Sequence, residues 1–372
     1  MNSGNKTLAD KGELAFVEHI KTLMPADGGF FLRSAGDDCL ITAPHGDNVT
    51  LATTDTFVET VHFTRDFFTF GQVGRRCMTA SVSDIAAMAG TPSYSLVSLS
   101  MPKTMLFDEA VALFDGLRTA GEEYGCPVAG GETTSTPGPA TITVTVIGTA
   151  EPGKAITRSG ARPGDGIYVT GTVGDAMAGL EAFLKGEDGY RELKRKFIDP
   201  SALVSHARTL AGKYNLSSLI DVSDGIVTDL GHICGESGCG ALLSAEKLPL
   251  SDEFGLFAGR FGIDPVAFSL RSGEEFELLF TSNDETMPER FTVEERQVTR
   301  IGVIEECEKS LRLTTGEGKT VALSSGGYEH FKTCTYHWPT GIWQVTSHHV
   351  AAEETIREST DRKIQFYKGH NH

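Results

Sequence analysis

Residues 71–89 read as a helix whose apolar stripe carries a carboxylate, and this feature constrains the fold most. Val73, Cys77, Ala80, Ala87 and Met88 recur at helical spacing. Asp84 falls on the same stripe and not on the polar face. A carboxylate in an apolar face must be neutralised, hydrogen-bonded or metal-bound. The helix therefore has to pack against partners that supply donors or a cation. A buried Asp capping a neighbouring loop is the plain alternative, and a metal site is the sharper one.

Three further acidic clusters supply partners for such a site. They are Gly36-Asp37-Asp38, Thr53-Thr54-Asp55 at the end of a predicted strand, and Asp221-Val222-Ser223-Asp224-Gly225. Singly, each has a local reading as a turn, a loop start or a helix cap. Together they resemble the oxygen-rich sites that hold magnesium with few protein ligands and substrate phosphates. The net charge fits this only indirectly. Lys plus Arg number 33 against 50 Asp plus Glu, a net charge of −17. Such a chain is a poor general nucleic-acid binder and a poor ligand for anionic membranes. It can bind phosphate through borrowed cations.

Strands are expected at 49–54, 141–148, 166–170, 218–222, 276–281 and 298–304, and further helices at 107–124, 174–185, 200–213 and 224–236. Each half mixes both, so the fold class is α/β or α+β in two domains, 1–153 and 154–331, with turns near 150–165 as the boundary. Residues 332–372 form an extension of different character, with Trp338, Trp343 and a possible helix near 350–362. The seven cysteines are odd in number and contain no C-x-x-C pair, which speaks against a disulfide framework or zinc module. With no membrane-length apolar run, and a polar start lacking a signal peptide's apolar core, the expected compartment is the cytoplasm.

Two segments add phosphate chemistry. Gly130-Gly131-Glu132-Thr133-Thr134 reads as a glycine-rich turn whose N–H groups suit a phosphate, or as a flexible turn. Arg158 offers a phosphate clamp, or is a solvated surface side chain. The P-loop, the protein-kinase H-R-D and D-F-G motifs and a complete Rossmann fingerprint are all absent.

In order, GDDCLI (36–41), TTDTFVETVHF (53–63), SVSDIAAMAG (81–90), GGETT (130–134), TITVTVIG (141–148), RSGARPGDGIYVTGTVGDAMAGL (158–180), IDVSDGIVTDLGHIC (220–234), SGEEFELLFT (272–281) and GGYEHF (326–331) resemble the thiamine-monophosphate kinase family. That family shares a superfamily with aminoimidazole ribonucleotide synthetase and selenophosphate synthetase. The resemblance implies ATP-dependent phosphorylation of thiamine monophosphate to thiamine diphosphate. It implies several magnesium ions, and a homodimer whose N-terminal strands close a β-barrel across the interface. Carried over by position, it gives Asp38, Thr53, Thr54, Asp55, Asp84, Asp221 and Asp224 as metal ligands. Gly131, Arg158 and Ser223 fall at the ATP, and His62, Glu274 and Tyr328 at thiamine monophosphate. Glu132 stands where the family has Asp; one methylene longer, it shifts or loses a magnesium position. Glu275 and Phe276 also depart from the family pattern Gly-Glu-Asp-Tyr-Glu. No side-chain general base is assigned, since a phosphate monoester is already nucleophilic.

Two other readings compete. A sibling superfamily enzyme would act on another phosphorylated or carbonyl substrate. The absence of a cysteine before Cys39 disfavours selenophosphate synthetase, and the ending Lys-Gly-His-Asn-His disfavours a carbamoyl-dehydrating factor. A nucleotide-binding paralogue with little turnover is the remaining alternative.

Overall fold

The computed structural model describes residues 7–25, 27–306 and 310–323. Tyr328, GGYEHF and the 332–372 extension with its expected helix lie outside the described residues.

The N-terminal half begins with α1 (Leu8–Lys11) and α2 (Glu13–Lys21). The sheet strands that follow are β1 (Phe31–Arg33), β2 (Leu40–Thr42), β3 (Val49–Val58), β4 (Thr91–Pro102), β5 (Val128–Thr136) and β6 (Thr141–Ala150). Their order is β1-β2-β3-β6-β4-β5, with β4 and β5 parallel and the other neighbours antiparallel. Within one chain this sheet is open, ending at β1 and β5. On β6, Ile142, Val144 and Val146 face the core while Thr143 and Thr145 face outward. Opposite them on β3, Thr54 and Thr56 also face outward and pair hydroxyl to hydroxyl with Thr145 and Thr143. Strand periodicity thus sends Thr53 and Asp55 to the inner face and Thr54 to the other.

The inner face is covered by α3 (Phe70–Ala87), backed by α4 (Phe107–Glu123). Thr69 and Gln72 form a capping box that starts α3. The two helices cross closely. A Cβ at Gly74 would meet the Leu113 carbonyl oxygen at 2.1 Å, and one at Gly116 would meet that of Gly71 at 2.1 Å. The expected polar face of α3 is largely buried. Arg76, Thr79, Ser81 and Ser83 are buried along with the apolar stripe. The helix lies between two sheets, so most of its polar side chains face protein, while Gln72, Arg75 and Asp84 keep partial exposure.

The second half runs β7 (Gly166–Thr170), α5 (Asp175–Leu184), α6 (Arg191–Ile198), α7 (Val204–Lys213), β8 (Leu216–Asp221), α8 (Ile226–Ser237), β9 (Gly240–Ser244), a 3₁₀ turn (Ala245–Lys247), α9 (Asp252–Phe261), α10 (Pro265–Ser269), β10 (Leu278–Ser282), β11 (Arg290–Val293), β12 (Arg296–Glu305), β13 (Leu311–Thr314) and β14 (Thr320–Leu323). The sheet path is β14-β13-β9-β12-β7-β10-β8, with β11 paired to β12. Strands β7 and β10 are buried at every residue, because both faces of the sheet are covered. One face carries Ile167, Val169, Ile220, Leu279 and Ile301, packed with α8. The other carries Tyr168, Leu219, Leu278 and Phe280, and Ala86 of α3 joins that cluster. The helix that bears Asp84 thus belongs to the cores of both halves.

The glycine-rich turn expected at 130–134 is a correction: these residues lie within β5. A Cβ at Gly131 would strike the Val97 carbonyl oxygen at 1.8 Å. The glycine therefore permits close pairing of β5 with β4, whatever else it contacts.

Candidate functional site

The fold brings the acidic motifs of both halves to one place. Asp38 precedes β2, Asp84 stands in the last turn of α3, and Asp221 ends β8. Ligand oxygens of these three lie within 4.8 Å of one another. Asp38 and Asp221 are buried, and Asp84 keeps some exposed surface. Three carboxylates this close repel one another. Asp84 is pushed well above the usual carboxylate range, first by burial and then by the charges of Asp55, Asp221 and Asp38. The Thr53 hydroxyl, donating to Asp84 Oδ2 at 2.5 Å, works the other way. The negative end of α3 adds to the cost, since its last turn holds no basic residue.

Burial and then the Asp38 charge raise Asp221 to about 7, although the Ser83 hydroxyl donates to its Oδ2 at 2.6 Å. Asp55 is raised by burial, against the pull of the Ser81 hydroxyl. Next to Asp38, Asp37 is raised to about 6 by burial and by its neighbour's charge. Two arginines offset part of this acidity. Arg158 holds Asp38 with two donors, Nη2 to Oδ1 at 2.7 Å and Nε to Oδ2 at 3.3 Å. Its backbone N–H donates to Asp37, as does Arg33 Nε at 3.1 Å. Positive charge is thus supplied on the Asp37–Asp38 side, while Asp84 and Asp221 are met by the hydroxyls of Thr53 and Ser83. An all-oxygen donor set with surplus buried negative charge fits a hard divalent cation such as magnesium.

The remaining expected residues are placed as follows. Thr54 presents its hydroxyl to Thr145 on the opposite face of the sheet from Asp84. Glu132 is exposed on β5, its carboxylate accepting the Thr133 N–H, and is not one of the three clustered residues. Ser223 and Asp224 follow β8 into α8, and the Asp224 N–H donates to Asp229 Oδ2 at 3.3 Å. The Ser223 carbonyl accepts the Glu274 N–H at 2.7 Å. Glu274 ion-pairs with Arg76 at 2.6 Å. His62 Nδ1 accepts the Val58 N–H at 3.0 Å, which leaves the ring proton on Nε2. Tyr328 lies outside the described residues.

Sequence reasoning missed Ser83, Asp229 and Arg76. Asp229 is 1% exposed, and burial followed by the charges of Asp224 and Asp221 raises it well above the usual range. Its signal was available: it shares helical spacing with Ile226, Leu230 and Ile233, as Asp84 does with its own stripe. The departure at Glu275 is also explained locally. Its Oε1 accepts the N–H groups of Gly174 and Ala176 at 2.8 and 3.1 Å, capping α5.

Two family models match the chain. The AIR synthase related protein N-terminal domain covers residues 36–150 and the C-terminal domain 162–311, which defines a two-domain protein of that class with a mixed α/β fold. The thiamine-monophosphate kinase of Aquifex aeolicus is 31% identical over 333 residues, covering 87% of this chain and 99% of that one. Its counterpart from Bacillus subtilis is 33% identical over 310 residues, covering 80% and 93%. The solved structure of AaThiL complexed with AMPPCP and TMP aligns with a TM-score of 0.77 at 30% identity, covering 88% of this chain and 100% of that one. The chain belongs to the thiamine-monophosphate kinase family.

Proposed function

We propose that this chain transfers the γ-phosphoryl group of ATP to the phosphate of thiamine monophosphate, giving thiamine diphosphate and ADP. The observation that carries the reading is the convergence of Asp38, Asp84 and Asp221 from both halves of the chain. The relatives named above and the relative solved with AMPPCP and TMP support the choice of substrates. Both substrates are anionic, and phosphoryl transfer asks for alignment and charge neutralisation more than for covalent chemistry. Asp38, Asp55, Asp84 and Asp221 would hold magnesium, with Asp224 and the Thr53 hydroxyl beside them. Magnesium supplies neutralisation of the phosphate oxygens there. Thr54 would contribute through its backbone, since its hydroxyl faces away. Glu132 would join from the exposed strand β5.

Gly131, Arg158 and Ser223 are assigned to ATP, and His62, Glu274 and Tyr328 to thiamine monophosphate. Arg158 would then share its guanidinium between Asp38 and a phosphate. No side chain is assigned as general base. The domain limits 1–153, 154–331 and 332–372 belong to the same reading, as does a homodimer closing the N-terminal sheet into a barrel. Two features support the dimer: β5 is exposed along nearly its whole length, and Tyr94 and Leu96 on neighbouring β4 are exposed. The cytoplasm is the assigned compartment. Among the described residues no helix is long and apolar enough to cross a membrane, and Cys39, Cys77, Cys126, Cys234 and Cys239 are free and buried.

The test is direct. Purified protein with ATP, magnesium and thiamine monophosphate should yield thiamine diphosphate and ADP in equal amounts. Turnover with a different acceptor alone would indicate a sibling enzyme. Tight ATP binding without turnover would indicate a nucleotide-binding paralogue.

A further inference from the structure

Arg76 is a buried cation on α3, 4% exposed, and the carboxylate cluster does not use it. Its guanidinium lies 4.8 Å from the ring centre of Phe197 and 5.7 Å from that of Phe68. Nη1 donates to the Phe197 carbonyl on α6, which fixes the plane of the group. Nη2 approaches Glu274 Oε2 at 2.6 Å, off the line of a straight hydrogen bond. The partner differs in character. Glu274 has a side chain 40% exposed, so the pair reaches the surface and is not enclosed within the core.

The backbone under Glu274 is costly. Glu274 has φ +58° and Phe276 has φ +52°, a region that non-glycine residues occupy at roughly 1–3 kcal/mol each. Such a conformation persists where its surroundings over-determine it. Here the Glu274 and Phe276 N–H groups donate to the carbonyls of Ser223 and Val222, and the Val222 N–H donates to that of Glu277. Residues 273–277 are thereby fastened to the chain that follows Asp221. Arg76 is the anchor from the other side. It stands eight residues, about 12 Å along the helix axis, before Asp84.

We infer that Arg76 is a positioning residue for the acceptor: it holds one oxygen of Glu274 so that the other faces a cationic or N–H-bearing substrate at a fixed distance from the carboxylate cluster. This rests on the reading of Glu274 as a contact to thiamine monophosphate, whose thiazolium is cationic and whose aminopyrimidine carries N–H donors. Loss of Arg76 would then weaken acceptor binding while leaving ATP binding in place.

The experiment compares wild type, Arg76→Lys, Arg76→Met, Glu274→Gln and the Arg76→Met/Glu274→Gln double variant. Steady-state kinetics vary each substrate in turn, and melting curves check the fold. Arg76→Met should raise KM for thiamine monophosphate about tenfold, with KM for ATP within about twofold of wild type. Arg76→Lys should recover part of the loss. In the Glu274→Gln background, removing Arg76 should add little further. Equal changes in both KM values, or additive effects of the two substitutions, would overturn the inference. Should Arg76→Met fail to fold, Arg76→Lys decides, and wild-type KM for the acceptor in that variant would overturn it. If wild type does not turn over thiamine monophosphate, the functional reading fails and this inference falls with it. Wild-type turnover with unmoved variants sinks the inference alone.

Discussion

Ser83 on the N-terminal helix α3 donates its hydroxyl to Asp221, the last residue of β8 in the other half, at 2.6 Å. Together with the Arg158 bonds to Asp37 and Asp38, this bond joins the two halves at the carboxylate cluster. It restrains one Asp221 oxygen and lowers the cost of ionising that carboxylate. Ser83→Ala should therefore raise the magnesium concentration for half-maximal rate by roughly 10-fold or more, as removing a partner of a metal ligand commonly does. Rates measured across a magnesium series check this, and an unchanged half-maximal concentration would separate Ser83 from the metal.

Asp84→Asn should lower the rate by orders of magnitude while the fold survives. Removing one of several crowded carboxylates relieves repulsion, so without magnesium the variant should melt at or above the wild-type temperature. Magnesium should then raise the melting temperature of wild type more than that of the variant, because binding to the folded state stabilises by mass action. Equal magnesium-dependent shifts would remove Asp84 from the metal site.

Asp84 was legible in the sequence because a carboxylate interrupts an apolar stripe at helical spacing. The stripe itself was only half the truth, since α3 is buried on its polar side too. Ser83 and Arg76 carried no signal of their own, because their partners Asp221 and Glu274 lie far along the chain. Strands β3, β6, β7 and β12 were legible from β-branched runs. Strand β5 was not, because Val128–Thr136 contains two adjacent glycines and lies exposed, so neither propensity nor burial pattern marks it. The capping role of Glu275 depends on where α5 begins in space, which local pattern does not encode.

Lys196 is the counter-ion of a second buried network. Its ammonium lies 3.0 Å from Glu277 and 3.1 Å from Glu275 and donates to the Thr172 carbonyl. Burial acts to raise Glu277, but the charges of Lys196 and then Arg296 outweigh it and hold that carboxyl below its usual range. Lys196→Met would leave both carboxylates short of positive charge and should destabilise by roughly 3–5 kcal/mol. Urea unfolding of the two proteins measures this. A loss under about 1 kcal/mol would mean that Arg296 and the α5 N-terminus suffice.

His232 on α8 should make stability fall in mild acid. Burial, then the charges of Arg158 and Lys21, push its imidazole down to about 4 from an ordinary 6.5. The folded state therefore resists a proton that the unfolded chain accepts below about pH 6.5. The stabilisation is fully present above that pH and is lost as pH falls toward about 4. The full shift corresponds to about 3 kcal/mol, and partial exposure of the ring reduces this to about 1–2 kcal/mol. His232→Gln removes the titration while keeping a polar side chain, and other acid-sensitive groups are common to both proteins. Wild type should thus lose about 1–2 kcal/mol more than the variant between pH 7 and pH 4.5, read from urea midpoints in magnesium-free buffer. Parallel stability curves for the two proteins would show that His232 takes up its proton equally in both states, and that Arg158 and Lys21 do not suppress it.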